Sequence, residues 1–198
     1  MKNLIIVFML VCYYTTSAQS DKENIKKDIN TYFDYVENNN SDGVINYMHP
    51  KVFETISKEQ LKQGMDQMLK NEEMKIEFLS TEILNISNII SFENTSYSLI
   101  EYANDMQMTF LSEIKNTLEE KKIFIDFMKA TMDSQFGEAN VKTDIENAAL
   151  IIHVESSIYA VYNKDFDSWK FLANDKNMTS VVNTIIPETV RNKIIIKE

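Results

Sequence analysis

Histidine is the side chain whose proton comes and goes near neutral pH, and this chain of 198 residues has two, His49 and His153. Neither stands in a His-x-x-x-His or Cys-x-x-Cys spacing, so no zinc ligand set is ready-made. His49 precedes Pro50, which biases it away from helix toward an extended or turn conformation. There its ring either packs or hydrogen-bonds a ligand. His153 and Glu155 lie two apart in a run of strand character, so they share a face and can form an acid/base pair. The bland reading is a solvated or partner-facing pair. Glu101 alternates with Leu99 and Ala103, and an inward-facing carboxylate there gains functional potential from burial. Outward, it is an ordinary surface glutamate.

Other chemistries find less. There is no Gly-x-Ser-x-Gly, and three scattered glycines cannot build a phosphate-cradling loop. Hydrolase and nucleotide-binding readings are disfavoured, and neither a cofactor nor a metal is expected. The net charge of −10 should repel nucleic acid and anionic membranes. Arg191 is the lone arginine, so bidentate carboxylate or phosphate clamps are scarce.

The first residues carry an address. Lys2, the apolar run Leu4 to Val11 and then Thr16-Ser17-Ala18 have the layout of a secretory signal, cut before Gln19. A secreted or periplasmic mature chain of residues 19–198 follows, as one domain with a C-terminal extension. The run is far shorter than the roughly 20 residues of a membrane span. Acylation of Cys12 ranks second, because Val11 replaces the small residue that would precede a lipidated cysteine. Cys12 is the only cysteine and leaves with the signal, so no disulfide supports the mature fold.

The positioning elements follow from periodicity. Ile25, Ile29, Tyr32, Phe33 and Val36 recur at three- and four-residue steps, predicting a long first helix. The break at 38–43 stops it, and a short second helix carries Val44, Ile45, Tyr47 and Met48. Val52 to Ile56 reads as a short strand. Ser57 and Gln60 form a capping box for a third helix with a buried stripe of Leu61, Met65, Met68 and Leu69. After Glu73 the period falls to two. Strands are predicted at Leu84 to Phe92, from Tyr97 as far as Leu111, at Val141 to Thr143, at Leu150 to Tyr162 and at Phe166 to Ala173. A helix between Ser112 and Gly137 interrupts them, and Pro187 marks a helix start in the tail.

Two stretches carry a family likeness. One is Tyr32-Phe33-Asp34-Tyr35-Val36-Glu37, the break Asn38-Asn39-Asn40-Ser41-Asp42-Gly43, and Val44-Ile45-Asn46-Tyr47-Met48-His49-Pro50. The other is Asp165-Phe166-Asp167-Ser168-Trp169-Lys170-Phe171. From about Lys22 to Asp175 the chain resembles the nuclear transport factor 2-like superfamily, which includes ketosteroid isomerase and polyketide cyclases. The resemblance implies an α+β fold with N-terminal helices packed on a strongly curved, cone-like antiparallel sheet. The helix between sheet strands departs from that pattern. An apolar cone open at one end is implied, with Tyr32, Tyr47, His49, Glu101 and Trp169 as ligand-binding candidates. Trp169 is read first as a sheet packing residue, and the methionines, Met128 and Met132 among them, as core or adaptable lining.

Isomerase members use a helix tyrosine as oxyanion donor, matched by Tyr32, and a carboxylate base. The base position falls near Thr55 or Ile56, with Glu54 the nearest carboxylate. The resulting expectation is non-catalytic binding of a small apolar ligand or a protein partner. The alternative is a lyase or isomerase using Tyr32, His49 and Glu54 around the cone mouth. A third reading makes the outer sheet face a homodimer interface, as is common in this superfamily, with Ile151, Tyr159 and Val161 as its apolar contacts.

Overall fold

The computed structural model describes residues 21–69 and 71–194. The expected export signal, its cleavage site and Cys12 lie outside the described residues.

Helix α1 covers residues 21–37 and buries Ile25, Ile29 and Phe33, the predicted stripe. Asn39 takes a left-handed φ of 57° to end it. Asn40 then caps α2 (Ser41–Tyr47) by accepting from the Gly43 N–H. Residue 43 must be glycine, since a Cβ there would lie 2.4 Å from the Tyr35 ring. The Ser57–Gln60 box opens α3 (Lys58–Leu69) with both reciprocal bonds formed. The buried stripe expected on α3 is only partial. Leu61 and Met65 are half-buried and Met68 is 45 % exposed, because this helix packs on α2 at the periphery.

The strand expected at Val52 to Ile56 is instead a 3-10 turn, Pro50–Glu54. Pro50 sits at its first position, where proline's fixed φ suits a helical start. His49 caps it by accepting the Lys51 N–H on Nδ1, and Val52 alone turns inward.

Six antiparallel strands form one unclosed, curved sheet: β1 (Met74–Ile86), β2 (Ile90–Phe92), β3 (Thr95–Phe110), β4 (Val141–Asp144), β5 (Ala149–Asn163) and β6 (Lys170–Ala173). Central β3 pairs β1 and β2 along one edge and β5 along the other. β4 and β6 both pair the far edge of β5. Two register shifts, between Phe78 and Ser80 and between Ile83 and Asn85, bend β1. β3 and β5 run in register without a break.

That unbroken register keeps alternate residues on one face over the whole length of the two long strands. On the even face, Ile100, Ile158, Ala160 and Phe171 meet α1. Farther along the same face, Met108, Phe110, Leu150 and Ile152 meet Ile125 of α4 (Leu118–Phe136). Met128 and Met132 pack there as core filling. Helix α4 begins at Leu118, later than Ser112, because Thr117 and Glu120 close a capping box, and Gly137 ends it at φ 90°.

The opposite face is buried as well at its upper end. Tyr97, Leu99, Tyr159, Val161 and Leu172 lie under α5 (Thr179–Ile185) and α6 (Glu188–Arg191), which contribute Val182, Ile185 and Val190. Pro187 caps α6, at the predicted helix start. Tyr159 and Val161 are 7 % and 1 % exposed, so the apolar contacts expected to face a second copy are covered by the chain's own tail. Ile151 alone of that trio remains half-buried.

Candidate functional site

The space between α1 and the sheet, expected as an apolar cup, is packed with rings. Phe171 is 1 % exposed, and its ring centroid lies 5.4 Å from Tyr32 and 6.0 Å from Tyr47, the latter stacked. Phe33 fits between Tyr32 at 5.8 Å and Tyr102 at 5.0 Å. Burial, with Tyr102 adding to it, pushes the Tyr32 phenol well above its ordinary range. Such a hydroxyl is a poor match for an oxyanion. The Tyr47 phenol is also raised, by burial first and by the charge of Asp28 second. Trp169 is 5 % exposed, packs 5.5 Å from Tyr162, and donates its backbone N–H to Asp28 at 2.9 Å. It is a packing residue just ahead of β6, which begins at Lys170 and not at Phe166 as expected.

His49 lies across β6 from these rings. Its backbone N–H donates to the Phe171 carbonyl at 3.0 Å, which ties it to the end of the sheet. Its ring leans on Phe166 edge-on at 5.5 Å. A pocket of about 290 Å³ opens at this ring, walled by Pro50, Val161, Phe166 and Ile185, with Thr95 and Tyr97 on one side. Val161 and Tyr97 belong to the sheet face opposite Tyr32.

His49 is 7 % exposed, and its Nδ1 accepts the Lys51 N–H at 3.3 Å. That bond places the proton of the neutral ring on Nε2. Among the described residues nothing accepts from Nε2, yet no fully buried side-chain nitrogen or oxygen lacks a partner. Nε2–H therefore reaches open space, and His49 lines the pocket. Burial, followed by the nearby Lys51 charge, pushes the imidazole down to about 4. At neutral pH His49 is an uncharged donor facing apolar walls.

The remaining candidates lie elsewhere. Glu54 is exposed at the end of the 3-10 turn. Tyr32 and His49 occupy opposite faces of the sheet, so Tyr32, His49 and Glu54 do not converge on one ligand position. Glu101 lies on the face away from α1, 3.5 Å from the Asn85 amide, and borders a shallow polar hollow with Leu84, Glu155 and Asn174. His153 pairs with Asp105 at 2.8 Å and stands 3.8 Å from Glu155 on the same open face. The Asp105 bond raises its imidazole above the usual value. The Ser80 hydroxyl joins the cluster by donating to Asp105 at 3.3 Å, on the carboxylate and not on the imidazole that would have to take its proton. Among the described residues no group of three or more His, Cys, Asp or Glu is placed to hold a metal ion. No helix among them is long and apolar enough to cross a membrane.

Sequence reasoning named His49 but missed its surroundings. Phe166 follows the Asn163-Lys164-Asp165 turn, and a large apolar residue directly after a tight turn was the available signal. Ile185 comes from the tail, and nothing local in the sequence indicates that it folds back over β5.

No protein-family model matches this chain, and no curated protein matches it. Among solved structures it is similar to a protein from Streptomyces avermitilis named as a dehydratase of the NTF2-like family. The two share 9 % identity at a TM-score of 0.40, over 78 % of this chain and 93 % of the other.

Proposed function

We propose that this protein is an exported, non-catalytic binding domain whose His49 pocket holds a small molecule with an apolar body and one hydrogen-bond acceptor, a carbonyl for example. The observation that carries this reading is the unmet Nε2–H of His49 in a pocket walled by Phe166, Val161 and Ile185. A donor that exchanges water for a ligand carbonyl in a largely apolar pocket gains a net of about 0.5–1.5 kcal/mol. The pocket is at the small end of ligand sites, which begin at roughly 300 Å³, so a single ring with a short substituent fits it. Against lyase or isomerase chemistry, His49 at about 4 holds no exchangeable second proton at neutral pH. Tyr32 and Glu54 are placed away from it.

Acetophenone against ethylbenzene, a ketone and a hydrocarbon of similar shape, tests the site. The ketone should shift the amide resonances of Lys51 and Phe166 more strongly than the hydrocarbon. His49→Asn keeps an oxygen to accept from Lys51 but removes the Nε2–H, so it should weaken ketone binding up to tenfold, about 1.4 kcal/mol. Equal binding by ketone and hydrocarbon, or no effect of the substitution, would refute the donor's role. Export is tested by mass. Protein recovered from its own host should begin at Gln19, and an intact N-terminus from Met1 would sink that part of the proposal.

A further inference from the structure

β4 and β6 lie end to end along the outer edge of β5, and neither reaches its middle. β6 pairs with residues Ile158 to Val161 and β4 with Ala149 to Ile152. Between them, only the Asn174 N–H bonds to this edge, on the Ser157 carbonyl. Hydrogen-bond parity then fixes where the backbone points. Phe110 N–H donates to the Ala148 carbonyl, so even-numbered residues of β5 turn their backbone groups toward β3 and odd-numbered ones turn outward. Asn174 on Ser157 obeys the same rule. The outward backbone groups of His153 and Glu155 thus line the gap. The pairing of Val141 with Ile152 sets the Asn140 carbonyl against the His153 N–H, which leaves the His153 C=O and both backbone groups of Glu155 without a backbone partner among the described residues.

The gap is a cleft of about 690 Å³ with Phe136 and Asn140 at one end and Asp175 and Lys176 at the other. Five residues at the strand rise span roughly 16 Å, which admits a segment of three or four residues in line with both flanking strands. β1 also has a free edge, but its two register shifts break the regular spacing that a guest strand needs. The β5 edge has no shift.

We propose that this window of β5 is a docking site for an extended segment of a partner protein, carrying a basic side chain on one face and apolar side chains on the other. A guest strand gains two backbone hydrogen bonds from Glu155, with the His153 C=O next along the edge. Its residue opposite Glu155 shares that face of the sheet, beside Glu155 and the Asp105 carboxylate, with Glu101 farther along. Its residue opposite Val154 points to the other face, toward Phe136 at the end of α4. Lys176 at one end of the cleft is matched by Asp175 beside it. A second copy of this chain, at a net charge of −10, is repelled by the same acids. The edge is therefore closed to self-pairing and open to a basic strand.

The probe is the blocked peptide Val-Lys-Val added to the mature chain, with Val-Glu-Val as its charge-reversed control. The lysine peptide should shift the amide resonances of His153 and Glu155, slow hydrogen exchange at Glu155, and bind at least tenfold more tightly than the control, with an advantage that shrinks in salt. Glu155→Pro removes an N–H that points away from β3, so the ladder to β3 stays whole while binding falls at least tenfold. Glu155→Lys leaves the backbone untouched and should narrow or invert the preference between the peptides. Three results would each overturn the proposal: silent His153 and Glu155 amides at millimolar peptide, equal binding of both peptides, or unchanged binding by Glu155→Lys.

Discussion

Phe171→Ala is expected to lower the unfolding free energy by about 3–5 kcal/mol, the range for removing a fully buried phenylalanine. The residue is 1 % exposed and joins three elements at one point. Its ring packs against Tyr32 of α1 and stacks on Tyr47 of α2, while its carbonyl receives the His49 N–H that holds the start of the 3-10 turn. Removing the ring leaves a cavity between two helices and an edge strand, and forfeits two aromatic pairs that contribute about 0.5–1.5 kcal/mol each beyond their buried area. The backbone bond to His49 survives, so the turn should stay formed. Urea unfolding of Phe171→Ala and Phe171→Leu decides the matter. The leucine variant should recover part of the loss at an unchanged denaturant slope. A loss under about 1 kcal/mol in the alanine variant would mean that this junction is not the core that its burial indicates.

Stability should fall by about 2–3 kcal/mol between pH 6.5 and pH 4 on account of His49 alone. Its imidazole is pushed from 6.5 down to about 4 in the folded chain, and each unit of difference corresponds to about 1.4 kcal/mol. The sign follows from proton uptake. Between these two values the unfolded chain binds a proton that the folded chain refuses, so acid favours unfolding. Above pH 6.5 both states are neutral at this site, and below pH 4 both are charged, so the dependence is confined to that window. His49→Asn, which does not titrate there, should flatten the curve of unfolding free energy against pH by the same amount. A variant curve parallel to that of the parent would show that the ring is not held neutral by its surroundings. His153 works in the opposite sense. Its raised imidazole favours the folded state at low pH, and that benefit fades as pH rises through its folded value. With its side chain 42 % exposed, solvent screening keeps the contribution small.

Both results return to the junction at the end of β6, and it shows how far local pattern reaches. The stripe of Ile25, Ile29 and Phe33, the break after Glu37, the Ser57–Gln60 box and the long alternation through β3 and β5 were all legible, because each depends on residues within a few positions of one another. The 3-10 turn Pro50–Glu54 was misread, its second half being taken as a strand from Val52 to Ile56. Val52, Phe53 and Ile56 have strand character, but the His49 ring supplies a cap that periodicity does not register. The α3 stripe was overread for a related reason. Spacing shows which face of a helix is apolar and does not show how much of the protein lies against it.

His49 was named from sequence as a residue that either packs or binds, and it does the first on Phe166 while holding a free donor for the second. The grouping of Tyr32, His49 and Glu54 failed because β6 lies between the first two. Which side of a strand a neighbouring helix occupies is a long-range fact. The same applies to Tyr159 and Val161, whose apolar character was read correctly and whose cover was assigned to a second copy. The cover comes from residues 179–194, joined through a tail whose own pattern names no target.

By itself, the sequence determined the α+β class, the long helices, the two central strands, the net negative charge and the two histidines, since these follow from composition and from side-chain periods of 3.6 and 2. It placed the first sheet strand at Leu84 to Phe92, where the structure has β1 from Met74 and a separate β2. Tertiary structure alone decided that aromatic rings fill the space beneath α1, that the tail closes the other face, that a pocket opens at His49, and that the middle of β5 is left uncovered. Those outcomes depend on which distant surfaces meet and how their volumes fit, and packing of that kind leaves no periodic trace along the chain.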